Sequence, residues 1–75
     1  MSKFSERLKE LRLEKNLSQR ALSKELGYSQ PAIVRWENGS QIPNIDVAIT
    51  IAKYFGVTTD YLLGLEDWLW LTLFW

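Results

Sequence analysis

Helix start and stop signals recur along this chain at intervals too short for anything but a set of brief, closely packed helices. Ser18 precedes Ala21, Leu22 and Leu26 and is followed by Gly27; Ser29 precedes Pro31 and is followed by the turn cluster Asn38-Gly39-Ser40. Pro43 and Asn44 open a run closed by Gly56, and Thr58 or Thr59 opens a last short one stopped by Gly64. A hydroxyl or amide oxygen at such a position accepts from the exposed first-turn amides. Glycine ends the helix in a left-handed conformation, and proline fits the first turn, where its missing N–H is not needed.

Ahead of these signals, Phe4, Leu8, Leu11 and Lys15 step along one helical face, which predicts a first amphipathic helix over residues 2–15, ended by Asn16. Helix two then runs from the Ser18 cap to Leu26 and helix three over about residues 29–38. Helix four carries the apolar face Val47, Ala48, Ile51, Ala52 and Phe55, and helix five passes through Tyr61, Leu62 and Leu63. No segment before the last eight residues alternates as a strand does, so the body is predicted to be all-α, with five helices whose short connections force close packing.

The size of the chain, 75 residues, leaves room for one small domain, and its 47% hydrophobic residues are enough for a core. There is no cysteine and no histidine. That removes disulfides, thiolate nucleophiles, the usual zinc ligand sets and the commonest general base, so neither a metal nor a cofactor is expected. The adjacent carboxylates Glu66 and Asp67 lie in a turn or linker context without a nucleophile, so an enzyme is not expected either. The start lacks the apolar stretch of a secretory signal, which makes the cytoplasm the default location.

Charge is balanced, nine basic against nine acidic side chains, but unevenly placed. Lys3, Arg7, Lys9, Arg12, Lys15, Arg20, Lys24 and Arg35 face only Glu6, Glu10, Glu14 and Glu25 in residues 1–35, a surplus of four positive charges. In the remainder Lys53 faces Glu37, Asp46, Asp60, Glu66 and Asp67, a surplus of four negative ones. A domain polarised in this way can turn a basic face to phosphates.

Helices two and three carry the most specific arrangement. Small Ser23 lets two helices cross closely, Gly27 permits the turn, and Leu22, Leu26, Ile33 and Trp36 pin the second helix across the first. The run Leu17-Ser18-Gln19-Arg20-Ala21-Leu22-Ser23-Lys24-Glu25-Leu26-Gly27, with Ile33 and Trp36-Glu37-Asn38-Gly39, resembles the Cro and phage-repressor type of helix-turn-helix domain. Pro43, Phe55-Gly56-Val57 and Asp60-Tyr61-Leu62-Leu63-Gly64 extend the likeness over about residues 4–65. Ser23 departs from the alanine usual in that family; its hydroxyl is expected to bond back into its own helix.

The resemblance implies a compact, lambda-repressor-like domain over residues 1–66 whose third helix lies in the DNA major groove while the second crosses above it. Periodicity agrees: with Ile33, Trp36 and Glu37 turned inward, Gln30, Pro31, Val34 and Arg35 form the outer face. Gln30 suits adenine, Arg35 suits guanine, and Ala32 and Val34 suit a thymine methyl. Phosphate contacts are expected from Gln19, Arg20, Ser29, Ser40 and Asn44. In the family the positions of Arg12 and Glu37 form a partly buried ion pair, a structural role, and Trp36 is read as core. The function implied is that of a sequence-specific transcriptional regulator, a repressor bound to a double-stranded operator. The alternative is a protein-interaction module of the same fold, such as an antitoxin.

The apolar segment over residues 67–75 departs from the family. Trp68-Leu69-Trp70-Leu71-Thr72-Leu73-Phe74-Trp75 carries no charge. It is too short for a bilayer, which needs about 20 residues. Burial is called for on more than one side, through self-association, by folding back over helices one, four and five, or as an extension foreign to the domain. Self-association is the reading taken, with Trp68, Trp70, Phe74 and Trp75 as dimerisation residues; a different protein partner on the same segment is the alternative. A homodimer would place two recognition helices about 34 Å apart on a palindrome.

Overall fold

The computed structural model describes residues 3–65; the 66/67 boundary and the dimerisation residues Trp68, Trp70, Phe74 and Trp75 lie outside the described residues. Five helices are present, α1 (Lys3–Glu14), α2 (Gln19–Leu26), α3 (Gln30–Asn38), α4 (Ile45–Phe55) and α5 (Thr59–Leu63), and there is no strand among the described residues.

Each helix after the first begins where a side-chain oxygen meets an exposed amide. Ser18 Oγ accepts from Ala21 N at 2.9 Å, Ser29 Oγ from Ala32 N at 3.2 Å and Asn44 Oδ1 from Val47 N at 2.9 Å. Thr58, not Thr59, caps α5, its Oγ1 accepting from Tyr61 N at 3.0 Å. Such a cap is worth about 1 kcal/mol. The first helix stops one residue earlier than its pattern predicts, because Lys15 N is shared between the carbonyls of Leu11 (3.3 Å) and Arg12 (3.2 Å). That loosened turn leads to Asn16 at φ 58°, a left-handed conformation asparagine tolerates.

Phe4, Leu8 and Leu11 of α1 are buried with Leu22 of α2, Ile33 and Trp36 of α3, Ile51 and Ala52 of α4, and Leu62 of α5, so every helix contributes to one core. In this arrangement α1 packs on α3 and α5, α2 on α3 and α4, and α4 on α5. The Trp36 ring is buried and meets Tyr28 edge-on, with centroids 5.5 Å apart, which makes it a packing residue and not a stacking platform.

The basic side chains of the N-terminal half differ in their surroundings. Arg7 donates to the Tyr61 carbonyl and lies 4.2 Å from that ring's centroid, tying α1 to α5. Lys15 is exposed, its ammonium 4.9 Å over the Tyr54 ring, and Lys3 sits 4.0 Å from Glu6. Arg12 is buried. Lys9, Arg20, Lys24 and Arg35 are exposed as well.

Three isoleucines stay in solvent where α4 begins: Ile42 is 65% exposed, Ile45 60% and Ile49 37%. Ile33, by contrast, is wholly buried at the meeting of α3 with the core. Ile33→Ala should therefore lower unfolding free energy by about 2–5 kcal/mol. Ile45→Ser should change it by less than about 0.5 kcal/mol. Urea unfolding followed by circular dichroism measures both.

Candidate nucleic-acid interface

The exposed face of α3 is defined by what its other face buries. Ile33, Trp36 and Glu37 point inward, which leaves Gln30, Pro31 and Arg35 exposed and Val34 half-buried on the outer stripe. Ala32 is also half-buried and packs against the core, so of the two residues suited to a thymine methyl only Val34 lies on that stripe. Pro31 occupies the first turn, where it costs no hydrogen bond and fixes φ.

Behind this face, α2 lies against α3 at close range. Ser23 is buried, and its Oγ donates to the Arg20 carbonyl at 2.7 Å within α2, so the hydroxyl is satisfied without an outside partner. The turn between the two helices rests on Gly27 at φ 81°, whose N–H donates to the Ser23 carbonyl, with Tyr28 N on the same oxygen at 3.1 Å. A residue with a Cβ is disfavoured at that φ.

An ion pair fixes the orientation of α3. Arg12 Nε donates to Glu37 Oε2 at 2.6 Å and Nη2 donates to Oε1 at 3.0 Å, a two-bond contact between side chains only 9% and 4% exposed. Arg12 Nη1 donates to the Leu17 carbonyl at 2.7 Å, and Gln19 Nε2 donates to Glu37 Oε1 at 3.2 Å. One buried cluster thus joins α1, the α1–α2 connection, the first residue of α2 and the last turn of α3. No buried side-chain polar atom among the described residues lacks a partner.

Gln19 is therefore held by Glu37 instead of extending freely, and one amide hydrogen remains for an outside acceptor. It lines a shallow depression with Lys9, Arg12, Val34, Glu37 and Asn38. Lys9 is a cation beside the α3 face that the sequence reading did not single out. Its spacing of three residues from Arg12 on α1 was the available signal. Arg20 is exposed on α2. Ser29 and Asn44 use an oxygen as a cap, which leaves the Ser29 hydroxyl hydrogen and the Asn44 amide hydrogens to donate outward.

At the far end of α3 the chain doubles back on Arg35. Gly39 takes φ 81° and its N–H donates to the Arg35 carbonyl, as do Ser40 N at 3.1 Å and Gln41 N at 3.3 Å. Ser40 N is also within 2.9 Å of Asn38 Oδ1, and Ser40 Oγ reaches the Arg35 carbonyl at 3.5 Å. The Arg35 side chain donates from Nε to Gln41 Oε1 at 2.8 Å, the second contact on this surface that the sequence reading did not foresee.

Compared with known proteins, residues 8–62 match the family model described as Helix-turn-helix (HTH_3). The chain is 44% identical over 64 residues to the HTH-type transcriptional activator BcrR of Enterococcus faecalis, covering 85% of this chain and 31% of that protein. It is 39% identical over 61 residues to an HTH-type transcriptional regulator of Methanocaldococcus jannaschii, covering 81% of this chain and 92% of that one. Among solved structures, the P22 c2 repressor in complex with a synthetic operator superposes with a TM-score of 0.77 at 32% identity, over 84% of this chain and 96% of that one. The chain belongs to this helix-turn-helix family. It spans less than a third of the length of the activator and nearly all of the archaeal regulator.

Removing one side of the ion pair strands the other. Arg12→Met should cost about 3–5 kcal/mol, since the Glu37 carboxylate loses its counter-charge while still buried. The double variant Arg12→Met/Glu37→Leu should be more stable than Arg12→Met alone. A double-mutant cycle from urea unfolding reads the coupling directly.

Proposed function

We propose that this chain binds double-stranded DNA in a sequence-dependent way through the outer face of α3 and thereby regulates transcription, as a repressor that occludes a promoter. The observation that carries this reading is the stripe Gln30, Pro31, Val34 and Arg35, held outward on a helix whose opposite face is locked by the Arg12–Glu37 pair. Gln30 pairs with an adenine, Arg35 with a guanine, and Val34 supplies apolar contact to a thymine methyl. Each two-bond base contact is worth about 1–3 kcal/mol of discrimination.

Gln19, Arg20, Ser29, Ser40 and Asn44 contact phosphates, joined by Lys9 beside the Gln19 depression, and position the helix without selecting a base. That the P22 c2 repressor is seen with an operator supports the docking. The naming of the BcrR relative as an activator leaves the sign of regulation to the placement of the site at the promoter.

The domain is taken to occupy residues 1–66, with residues 67–75 as a separate apolar segment that pairs two copies through Trp68, Trp70, Phe74 and Trp75. Two recognition helices then address the two halves of a palindrome. The place of work is the cytoplasm, with the DNA; no helix among the described residues is long and apolar enough to cross a membrane. The role is binding, not catalysis, and it needs no cofactor. A second reading, a partner-binding module of the same fold, is favoured by exposed Ile42, Ile45 and Ile49, an apolar surface that base reading does not use.

Sedimentation and selection from a random duplex pool test the proposal together, on the intact chain and on a chain ending at Asp67. The intact chain should be a dimer that enriches a palindrome, and the shortened one a monomer that binds far more weakly. With two cationic phosphate contacts, Lys9 and Arg20, in each of two subunits, affinity should fall on the order of 10²-fold between about 50 and about 200 mM salt. A chain that enriches no sequence even at low salt contradicts the DNA reading; a dimer that survives the truncation contradicts the role given to residues 67–75.

A further inference from the structure

The α3–α4 connection offers more than a link. Three consecutive N–H groups, those of Gly39, Ser40 and Gln41, converge on the carbonyl of Arg35. Gln41 is thereby fixed by its backbone to the residue whose side chain it also touches, since its Oε1 accepts from Arg35 Nε at 2.8 Å. The two residues are joined twice, by main chain and by side chain.

A guanidinium can meet the O6 and N7 of guanine in two ways, from the side through Nε and one Nη, or end-on through both Nη groups. With Nε occupied by Gln41, the side approach is closed and the terminal edge remains. The contact also removes rotational freedom from a long, exposed side chain before any DNA arrives. A chain frozen only on binding gives up part of the affinity its contact supplies.

We infer that Gln41 is a specificity-determining positioning residue: it holds the Arg35 guanidinium for end-on contact with one guanine in each half-site. This rests on the proposal that α3 reads DNA. Gln41 lies outside the recognition helix, and its effect is confined to the base pair that Arg35 addresses, whereas a phosphate-contacting residue would affect every sequence alike.

The test uses the full chain and a random duplex pool, with base preferences read from the enriched sequences for the wild type, Arg35→Ala, Gln41→Ala and Gln41→Glu. Arg35→Ala marks the base pair in question by abolishing its guanine preference. Gln41→Ala should lower that same preference by about three- to tenfold while changing binding to a scrambled duplex by less than about twofold. Gln41→Glu, which keeps an acceptor oxygen for Nε, should retain it. Thermal melts of the variants should match the wild type, Gln41 being exposed and outside the core.

A wild type that enriches no sequence overturns the DNA reading and this inference with it. A wild type that enriches a site while Gln41→Ala keeps the full guanine preference, or loses affinity for all sequences equally, overturns the inference alone. The same holds if Arg35→Ala alters no base preference at all.

Discussion

The outward face of this domain is set by an interaction on its inward side, the ion pair of Arg12 with Glu37. Each helix is short, and α3, with nine residues, buries only two large apolar side chains, Ile33 and Trp36. Apolar packing is non-directional and tolerates small rotations. A guanidinium and a carboxylate joined by two bonds at 2.6 and 3.0 Å do not. Because Arg12 also holds the Leu17 carbonyl and Glu37 also holds Gln19, the pair sets the start of α2 and the end of α3 against α1 in one step. Its net contribution to stability is modest, since taking both charges out of water offsets much of their attraction. Its contribution is to geometry.

From that lock the rest of the surface follows. With Glu37 and Trp36 inward, Val34 and Arg35 turn outward one helical step earlier, and Gln30 and Pro31 one turn before them share their side. The Gly39 turn then returns the chain to the Arg35 carbonyl and brings Gln41 alongside. Gln19 joins the lock to the surface directly: one amide hydrogen is held by the buried carboxylate while the other points away from that bond. Core and reading face are thus two sides of one set of contacts, and a change at Glu37 reaches both.

What the sequence made legible is what depends on neighbours in the chain. Ser18, Ser29 and Asn44 cap their helices because a cap needs only the residue and the amide three positions on, and α3 ends at Asn38 with Gly39 behind it for the same local reason. The inward set of α3 follows from helical spacing alone. The pairing of Arg12 with Glu37 does not: 25 positions apart, it came through family resemblance and not from any pattern in the residues. The charge count along the chain did not reveal which cations have partners: Arg7 and Lys15 lie over the rings of Tyr61 and Tyr54, more than thirty-five positions away. Gln41, only six positions from Arg35, was invisible for a different reason: its contact depends on the turn at Gly39 that brings the chain back to Arg35.

The central claim, that the outer stripe of α3 meets DNA, is tested most directly by backbone amide chemical shifts of the intact chain titrated with a duplex taken from the selected pool. The account predicts the largest changes at residues 29–35, at the first residues of α2 and at the α3–α4 connection, with α5 nearly unmoved. Changes concentrated on α5 or on the second half of α4, with residues 29–35 silent, would contradict it.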